Sequence, residues 1–233
     1  MFTAVVTDHW LPARAAHVPE EEAFVVVDPD LPANRAVSVV RMEGGPTIVA
    51  VSAGQAERIG LDDGETIPAV EATTRIAAAG VALNDPDHLF YLPVEEQEAV
   101  AAEGHGIHTR RLTADDAPAF ADMVAAAPAH ELDEAFVELD HWLVVGTFVD
   151  ARLAAVGSMY PWGATHLADL GVITLPEFRG RGLARVTVRA LSAEALARGY
   201  EPQYRCQLDN APSIALAIAA GFRRFGEWTV IDS

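Results

Sequence analysis

The residues with the clearest chemical potential lie in one run, Leu175-Pro176-Glu177-Phe178-Arg179-Gly180-Arg181-Gly182-Leu183-Ala184. Two glycines two apart let a backbone turn tightly with no Cβ in the way. Arg179, Arg181 and Arg185 add positive charge around them. Such a run binds phosphate where it opens a helix, because the first turn presents unpaired N–H groups and the positive end of the helix dipole. The flanks meet that condition. Leu167 to Thr174 is apolar with β-branched Val172, Ile173 and Thr174 and predicts a strand, whereas Ala184 to Arg198 is rich in Ala, Leu, Val and Arg, closes at Gly199 and predicts a helix. A dinucleotide fingerprint requires Gly or Ala at position 185, which is Arg, and a P-loop requires a Lys that the chain lacks altogether. An ordinary β–α turn with a surface Arg cluster is the alternative that involves no ligand.

A second stretch bears on the first. Asn210-Ala211-Pro212-Ser213 opens the apolar segment Ile214 to Ala220, closed by Gly221-Phe222. Asn210 is a good N-cap, Pro212 is tolerated in a first turn, and Gly221 suits the left-handed residue that ends a helix. Arg179-x-x-Gly182-x-Ala184 after a strand ending in Leu-Pro resembles the pyrophosphate loop of the GNAT superfamily of N-acetyltransferases. The spacing from Asn210 to Gly221-Phe222 is similar to that superfamily's second cofactor-side helix. The resemblance covers roughly residues 107 to 233.

The resemblance implies an α/β fold with a mixed sheet, acetyl-CoA (coenzyme A) as cofactor, and direct transfer of an acetyl group to a primary amine of a small molecule or peptide within a ternary complex. A non-catalytic acyl-CoA-binding or sensing protein is the alternative. By position, the strand end at Ile173, Thr174 and Leu175 would carry the pantetheine arm. Backbone N–H groups of Gly180, Arg181, Gly182, Leu183 and Ala184 would hold the pyrophosphate. Arg179 or Arg181 would meet the 3′-phosphate, and Asn210 and Ser213 would line the other side.

Amide formation makes three demands. The amine must lose a proton, since an ammonium has no lone pair. The oxyanion at the thioester carbonyl needs a donor. The departing thiolate needs a proton. Asp169, on the expected central strand ten residues before Arg179, is the candidate catalytic base, directly or through water. His166 competes with it by virtue of an intrinsic pKa nearer neutrality, and Glu138, Asp140 and His141 are further candidates. The superfamily often places a Tyr seven residues after the Asn as general acid; here that residue is Ala217, so Tyr160, Tyr204 or water would take its place. Cys206, a lone strand Cys, reads as a buried residue before it reads as an acyl carrier.

Bulk properties bound the rest. The 233 residues fit one large domain or two small ones, and 51% of them are hydrophobic, enough for a real core. No run reaches 18 consecutive apolar residues and no signal peptide is visible at Met1-Phe2-Thr3, which predicts a cytoplasmic protein with no membrane partner. One Cys excludes a disulfide framework and a Cys-rich metal site. The net charge of −18 divides into −13 over residues 1–108 and −5 over residues 109–233, yet residues 179–224 hold 8 Arg against 3 acids. One basic region in an acidic chain suits an anionic cofactor, and the lack of a broad basic face argues against nucleic acid. A genome-wide compositional bias explains the overall acidity equally well. Oligomeric state stays open, a homodimer included.

Residues 1–106 read as an α+β domain of unknown role, either a degenerate copy of the acetyltransferase fold or an unrelated substrate-side or dimer domain. Strands are expected over 23–27, 36–42, 47–51 and 88–92, and helices over 55–60, 66–80 and 95–103. Gly104 to His108 is the expected boundary; His105 and His108 are three apart, but no carboxylate or Cys follows at ligand spacing, so a linker is expected and no metal. Residues 107–233 then form the acetyltransferase domain: a strand over 108–112, helices over 113–127 and 132–139, a hairpin over 143–160 turning at Asp150-Ala151-Arg152, the central strand, loop and long helix, a strand over 203–208, the Asn210 helix and a last strand over 225–231.

Overall fold

The computed structural model describes residues 1–103, 106 and 108–232. In chain order the elements are α1 (Ala4–Trp10), β1 (Glu22–Val27), β2 (Val37–Met42), β3 (Thr47–Val51), α2 (Ala53–Ile59), β4 (Thr66–Pro68), α3 (Ala69–Ala78), β5 (Asp87–Tyr91), α4 (Val94–Glu103), β6 (Thr109–Arg111), α5 (Ala117–Ala126), α6 (Ala129–Ala135), β7 (Leu143–Val149), β8 (Arg152–Pro161), β9 (Leu167–Thr174), α7 (Leu183–Leu196), β10 (Glu201–Gln207), α8 (Ala211–Ala219) and β11 (Arg223–Val230). The class is mixed α/β, as the sequence implies. No helix among the described residues is long and apolar enough to cross a membrane.

Two compact units emerge, and neither is a single sequence interval. One, here the loop-bearing unit, holds Met1–Val5, Phe90–Arg205 and Ala211–Arg223; the other, here the N-terminal unit, holds Val6–Leu89, Cys206–Asn210 and the segment from Arg224 onward. The expected boundary at Gly104 to His108 falls mostly outside the described residues, which lack positions 104, 105 and 107, so His105 of the His105–His108 pair lies outside them as well.

In the N-terminal unit, the Val- and Ile-rich runs form strands because branched side chains pack well on a pleated surface. β1 and β3 pair in parallel from Ala23↔Thr47 to Val27↔Val51, and β2 runs antiparallel to β3. β11, the last strand of the chain, pairs antiparallel with β2 from Gly226↔Met42 to Val230↔Ser38. Side chains alternate between faces. Ala23, Val25 and Val49 pack with Ile59 and Ile76 of α2 and α3, while Phe24 and Ile48 pack with Ala15. The helix expected over 66–80 starts later than that. Thr66–Pro68 pairs antiparallel with β1 and only Ala69–Ala78 is helical, because Pro68 pushes the residue before it into extended backbone.

In the loop-bearing unit, β9 lies between β8, antiparallel, and β10, parallel; β7 and β6 follow outward from β8. Val156, Ile173 and Leu175 share a core with Met123 of α5 and with Leu132 and Ala135 of α6. Gly157, on the opposite face, lies against Leu191 and Thr187 of α7. The expected hairpin turn is present, with Asp150 and Ala151 both at positive φ, 49° and 63°. The helix expected over 132–139 instead spans Ala129–Ala135. Pro128 precedes it and Phe136, in the left-handed region at φ 46° and ψ 52°, stops it.

Candidate functional site

The loop-bearing unit contains a fork. β9 and β10 pair only from Leu167↔Glu201 to Leu170↔Tyr204, whereas β9 stays paired with β8 as far as Thr174. Gly171 to Thr174 therefore turn one backbone edge toward the opening. Backbone donors and acceptors on such an edge are available to an extended, amide-containing ligand. The Thr174 hydroxyl oxygen is buried and has no hydrogen-bond partner among the described residues, a feature that calls for a partner the protein does not itself supply.

The fork leads into the glycine loop. Gly180 and Gly182 hold φ of 71° and 75°, and a Cβ at either would meet no atom within 4 Å. Gly182 is the N-cap of α7 and no side chain caps that helix. The N–H groups of its first turn thus face outward with the dipole behind them. Arg179 spans two partners, with Nε 3.2 Å from the Thr174 carbonyl oxygen and Nη2 2.5 Å from Glu131 Oε2. Arg181 is exposed, lies over the Phe178 ring at 5.6 Å and has no carboxylate partner among the described residues. Of the two candidates for a terminal phosphate, Arg181 has the open guanidinium. An open glycine cradle, an uncapped helix start and an unpaired buried hydroxyl fit an anionic ligand with an extended arm.

Asn210 donates Nδ2 to Gln207 Oε1 at 3.3 Å, and Ser213, in the first turn of α8, shares a 2.8 Å hydrogen bond with the Tyr204 hydroxyl. Gly221 ends α8 at φ 98°, with its N–H on the Ile218 carbonyl. Ala217, where the resemblance would place a Tyr, is fully buried, and so is nearly all of Cys206.

At the vertex of the fork a polar row crosses the sheet. Tyr160 sits opposite Asp169 on β8, and Asp169 opposite Gln203 on β10. Asp169 is only 4% exposed. Its Oδ1 accepts from Gln203 Nε2 at 2.9 Å and Arg205 Nε at 3.0 Å; its Oδ2 accepts from Arg205 Nη2 at 2.7 Å and the Tyr160 hydroxyl at 3.0 Å. Tyr91 extends the row by donating to Gln203 Oε1, and the Arg205 guanidinium stacks over Trp162 at 4.8 Å. Burial first, then the Asp169 charge and hydrogen bond, push the Tyr160 phenol up to about 12. Beside this row, His141 Nδ1 lies 2.8 Å from Ser158 Oγ, and its ring packs against Phe136 and Tyr160 at 5.1 Å from each. His166 is elsewhere, exposed at the start of β9 with its ring against Tyr200 and Nδ1 3.2 Å from the Gly199 carbonyl.

Gln203, Arg205, Ser158 and Phe136 are site residues that sequence reasoning did not single out. A signal exists for the first three: Ser158 breaks an apolar run in β8, Gln203 and Arg205 lie on the polar alternate positions of β10, and alternation puts them on the face of Asp169. Phe136 carries no such mark, since its left-handed backbone is a tertiary outcome.

Residues 109–222 match the acetyltransferase (GNAT) family model. This part of the chain belongs to the GNAT family. An uncharacterized N-acetyltransferase of Bacillus subtilis (strain 168), YdfB, is 36% identical over 66 residues, 28% of this chain and 25% of that protein. The chain thus spans about a quarter of the length of this curated relative. Among solved structures, a putative GNAT acetyltransferase from Novosphingobium aromaticivorans is 27% identical with a TM-score of 0.51, covering 64% of each chain. A GNAT-family acetyltransferase from Colwellia psychrerythraea is 19% identical with a TM-score of 0.49, over 65% of this chain and 57% of that one. The fork and the glycine loop both lie inside the GNAT segment.

Proposed function

We propose that this protein is an N-acetyltransferase that carries an acetyl group from acetyl-CoA to a primary amine of a small molecule or peptide, with both partners bound together. The observation that supports it best is the fork. Backbone of Gly171 to Thr174 is released from β10 directly before an uncapped, arginine-fringed helix start. Ile173, Thr174 and Leu175 would hold the pantetheine arm, the amides of Gly180, Arg181, Gly182, Leu183 and Ala184 the diphosphate, and Arg181 ahead of Arg179 the 3′-phosphate. Ser213 would flank the other side. Bound acetyl-CoA supplies the acetyl thioester; the protein supplies orientation and proton handling.

Asp169 stands at the vertex, where thioester and amine would meet, and is the proposed base. Its lone pairs are taken by Gln203, Arg205 and Tyr160, so it takes a proton through water or after the Tyr160 hydroxyl lets go. Until then it orients the Tyr160 phenol and the Arg205 guanidinium. In the cell such a protein would work in the cytoplasm.

Calorimetry with coenzyme A and thiol release over an amine panel test this reading. The expected result is micromolar binding and amine-dependent release. Binding without turnover on any amine would favour an acyl-CoA-binding protein, and no binding at all would reject both.

A further inference from the structure

Two carboxylates flank Tyr160 and His141, and they differ in kind. Asp169 is buried and saturated with donors. Glu138 has a half-exposed side chain, at 53%, and its Oε1 has no hydrogen bond among the described residues. Glu138 is nevertheless held at two points. Its backbone N–H donates to Ser158 Oγ at 3.3 Å, and its Oε2 lies 3.5 Å from His141 Nε2.

The hydrogen-bond inventory fixes the direction of this relay. Ser158 is 1% exposed. One lone pair of its oxygen takes the Glu138 N–H, and the acceptor within reach of its own proton is His141 Nδ1, at 2.8 Å. The reverse direction, with Nδ1–H donating, leaves a buried hydroxyl proton without an acceptor among the described residues and is the costlier arrangement. Ser158 therefore donates to Nδ1. The proton of the neutral ring then sits on Nε2, the nitrogen that faces Glu138 Oε2. The ring cannot turn away from this alignment easily, because its side chain is 11% exposed and lies against Phe136 and Tyr160.

Phe136 gives an independent sign that this corner is built for a ligand. It is a non-Gly residue in the left-handed region, yet its ring is half exposed, at 51%. Its N–H on the Leu132 carbonyl and its edge-on contacts with His141 and Tyr160 hold it there. Strained backbone held by its surroundings clusters at ligand contacts. Aromatic rings beside an open carboxylate attract an organic cation twice over, by charge and by the ring quadrupole.

We propose that Glu138 receives the ammonium group of the acceptor, against the rings of Phe136 and Tyr160, and that Ser158 and His141 are positioning residues that aim its carboxylate through a single imidazole tautomer. The substrate class this fits is a cationic primary amine bearing an apolar or aromatic group. The assignment rests on the acetyltransferase reading for the fate of the amine, not for the tautomer.

The test has two arms on the full-length protein. In long-range ¹H–¹⁵N spectra of histidine-labelled protein, with His141 identified by its loss in His141→Gln, the Nε2–H tautomer is expected, and Ser158→Ala should shift the population toward Nδ1–H. In the second arm 2-phenylethylamine and propylamine are titrated in, following the His141 Nε2 signal. Phenylethylamine should bind more tightly than propylamine, Glu138→Gln should weaken it at least tenfold, and Glu138→Asp should restore part of the loss. With acetyl-CoA present, the effect should fall on the amine KM and leave the acetyl-CoA KM within about twofold. An Nδ1–H tautomer in the wild type, no response to either amine, or unchanged amine affinity in Glu138→Gln overturns the proposal. Circular dichroism on the same samples reports folding and coenzyme A calorimetry the acetyltransferase reading, so failure of that reading and failure of Glu138 are distinguishable.

Discussion

Each unit contains a parallel strand pair in which one strand leads into a helix, β3 into α2 and β9 into α7, and the two junctions have opposite fates. In the N-terminal unit β1 and β3 stay paired through Val27↔Val51, the last residue of each. Ser52 follows at once and its hydroxyl accepts the Gln55 N–H at the start of α2. That junction is closed at both ends. In the loop-bearing unit β9 leaves β10 after Leu170, no side chain caps α7, and two glycines at positive φ stand where Ser52 stands in the other unit. A capped, fully paired junction satisfies its own backbone and has nothing to offer a ligand. An open one leaves donors and a dipole end exposed and becomes worth keeping only if something binds there. The contrast separates scaffold from site without reference to sequence similarity.

Four measurements test that contrast. The largest effect is expected at Gly171, the first β9 residue past the fork. A Cβ there would run into the Ala135 carbonyl oxygen at the end of α6, so Gly171→Ala should lose about 3 kcal/mol in denaturant unfolding, at the upper end for overpacking. A stability within about 0.5 kcal/mol of wild type would mean that α6 is not seated on the fork. Next, Gly182→Trp should weaken coenzyme A binding at least 100-fold in calorimetry, equivalent to about 2.7 kcal/mol; the space around Gly182 is open, and a side chain at its φ of 75° should cost stability only about 1–2 kcal/mol. Retained affinity would move the diphosphate away from α7.

The third measurement concerns the polar row at the vertex. A Tyr160 phenol at about 12 lies above the ordinary value of about 10. The stability it contributes is present in full below pH ~10 and is lost as pH rises through the folded value. Phenolate absorbance should show a tyrosine ionising near pH 12 that disappears in Tyr160→Phe, and Asp169→Asn should bring it back toward the ordinary range by removing the charge that opposes ionisation. An unmoved titration would leave burial as the whole cause. The smallest effect is expected on the closed side. Ser52→Ala removes a cap whose hydrogen bond is long, 3.4 Å, and should cost about 0.5 kcal/mol with no change in coenzyme A affinity. A change in affinity there would undo the division into scaffold and site.

Much of the loop-bearing unit was legible in sequence. Asp150 and Ala151 turn the hairpin where expected, Gly221 ends α8 at positive φ as expected, and the strand–loop–helix around Gly180 and Gly182 lies within a residue or two of its expected bounds. Local rules suffice for these, because a turn or a helix end satisfies its requirements within a few residues. The limits appear where distant residues decide. Pro68 extends the residue before it, but Thr66–Pro68 became a strand only because β1 offers an antiparallel partner at Ala23. Phe136 stops α6 early, in a backbone region that Phe does not choose by itself.

By itself the sequence determined the phosphate-ready loop, the GNAT resemblance, the absence of a Tyr at position 217 and the candidacy of Asp169, all of which depend on residue type and short spacing. Only the tertiary structure decided that β11 joins β2 at the other end of the chain, that the β9–β10 pairing stops at Leu170, and that Asp169 is saturated by Gln203, Arg205 and Tyr160 while Glu138 stays open. The strand pairings and the Asp169 contacts rest on register between strands far apart in sequence. A shift of one residue would send Asp169, Gln203, Arg205 and Tyr160 to the opposite face, and nothing within the neighbourhood of any one strand fixes that choice; Glu138, in the connection after α6, is placed by its contacts with Ser158 and His141.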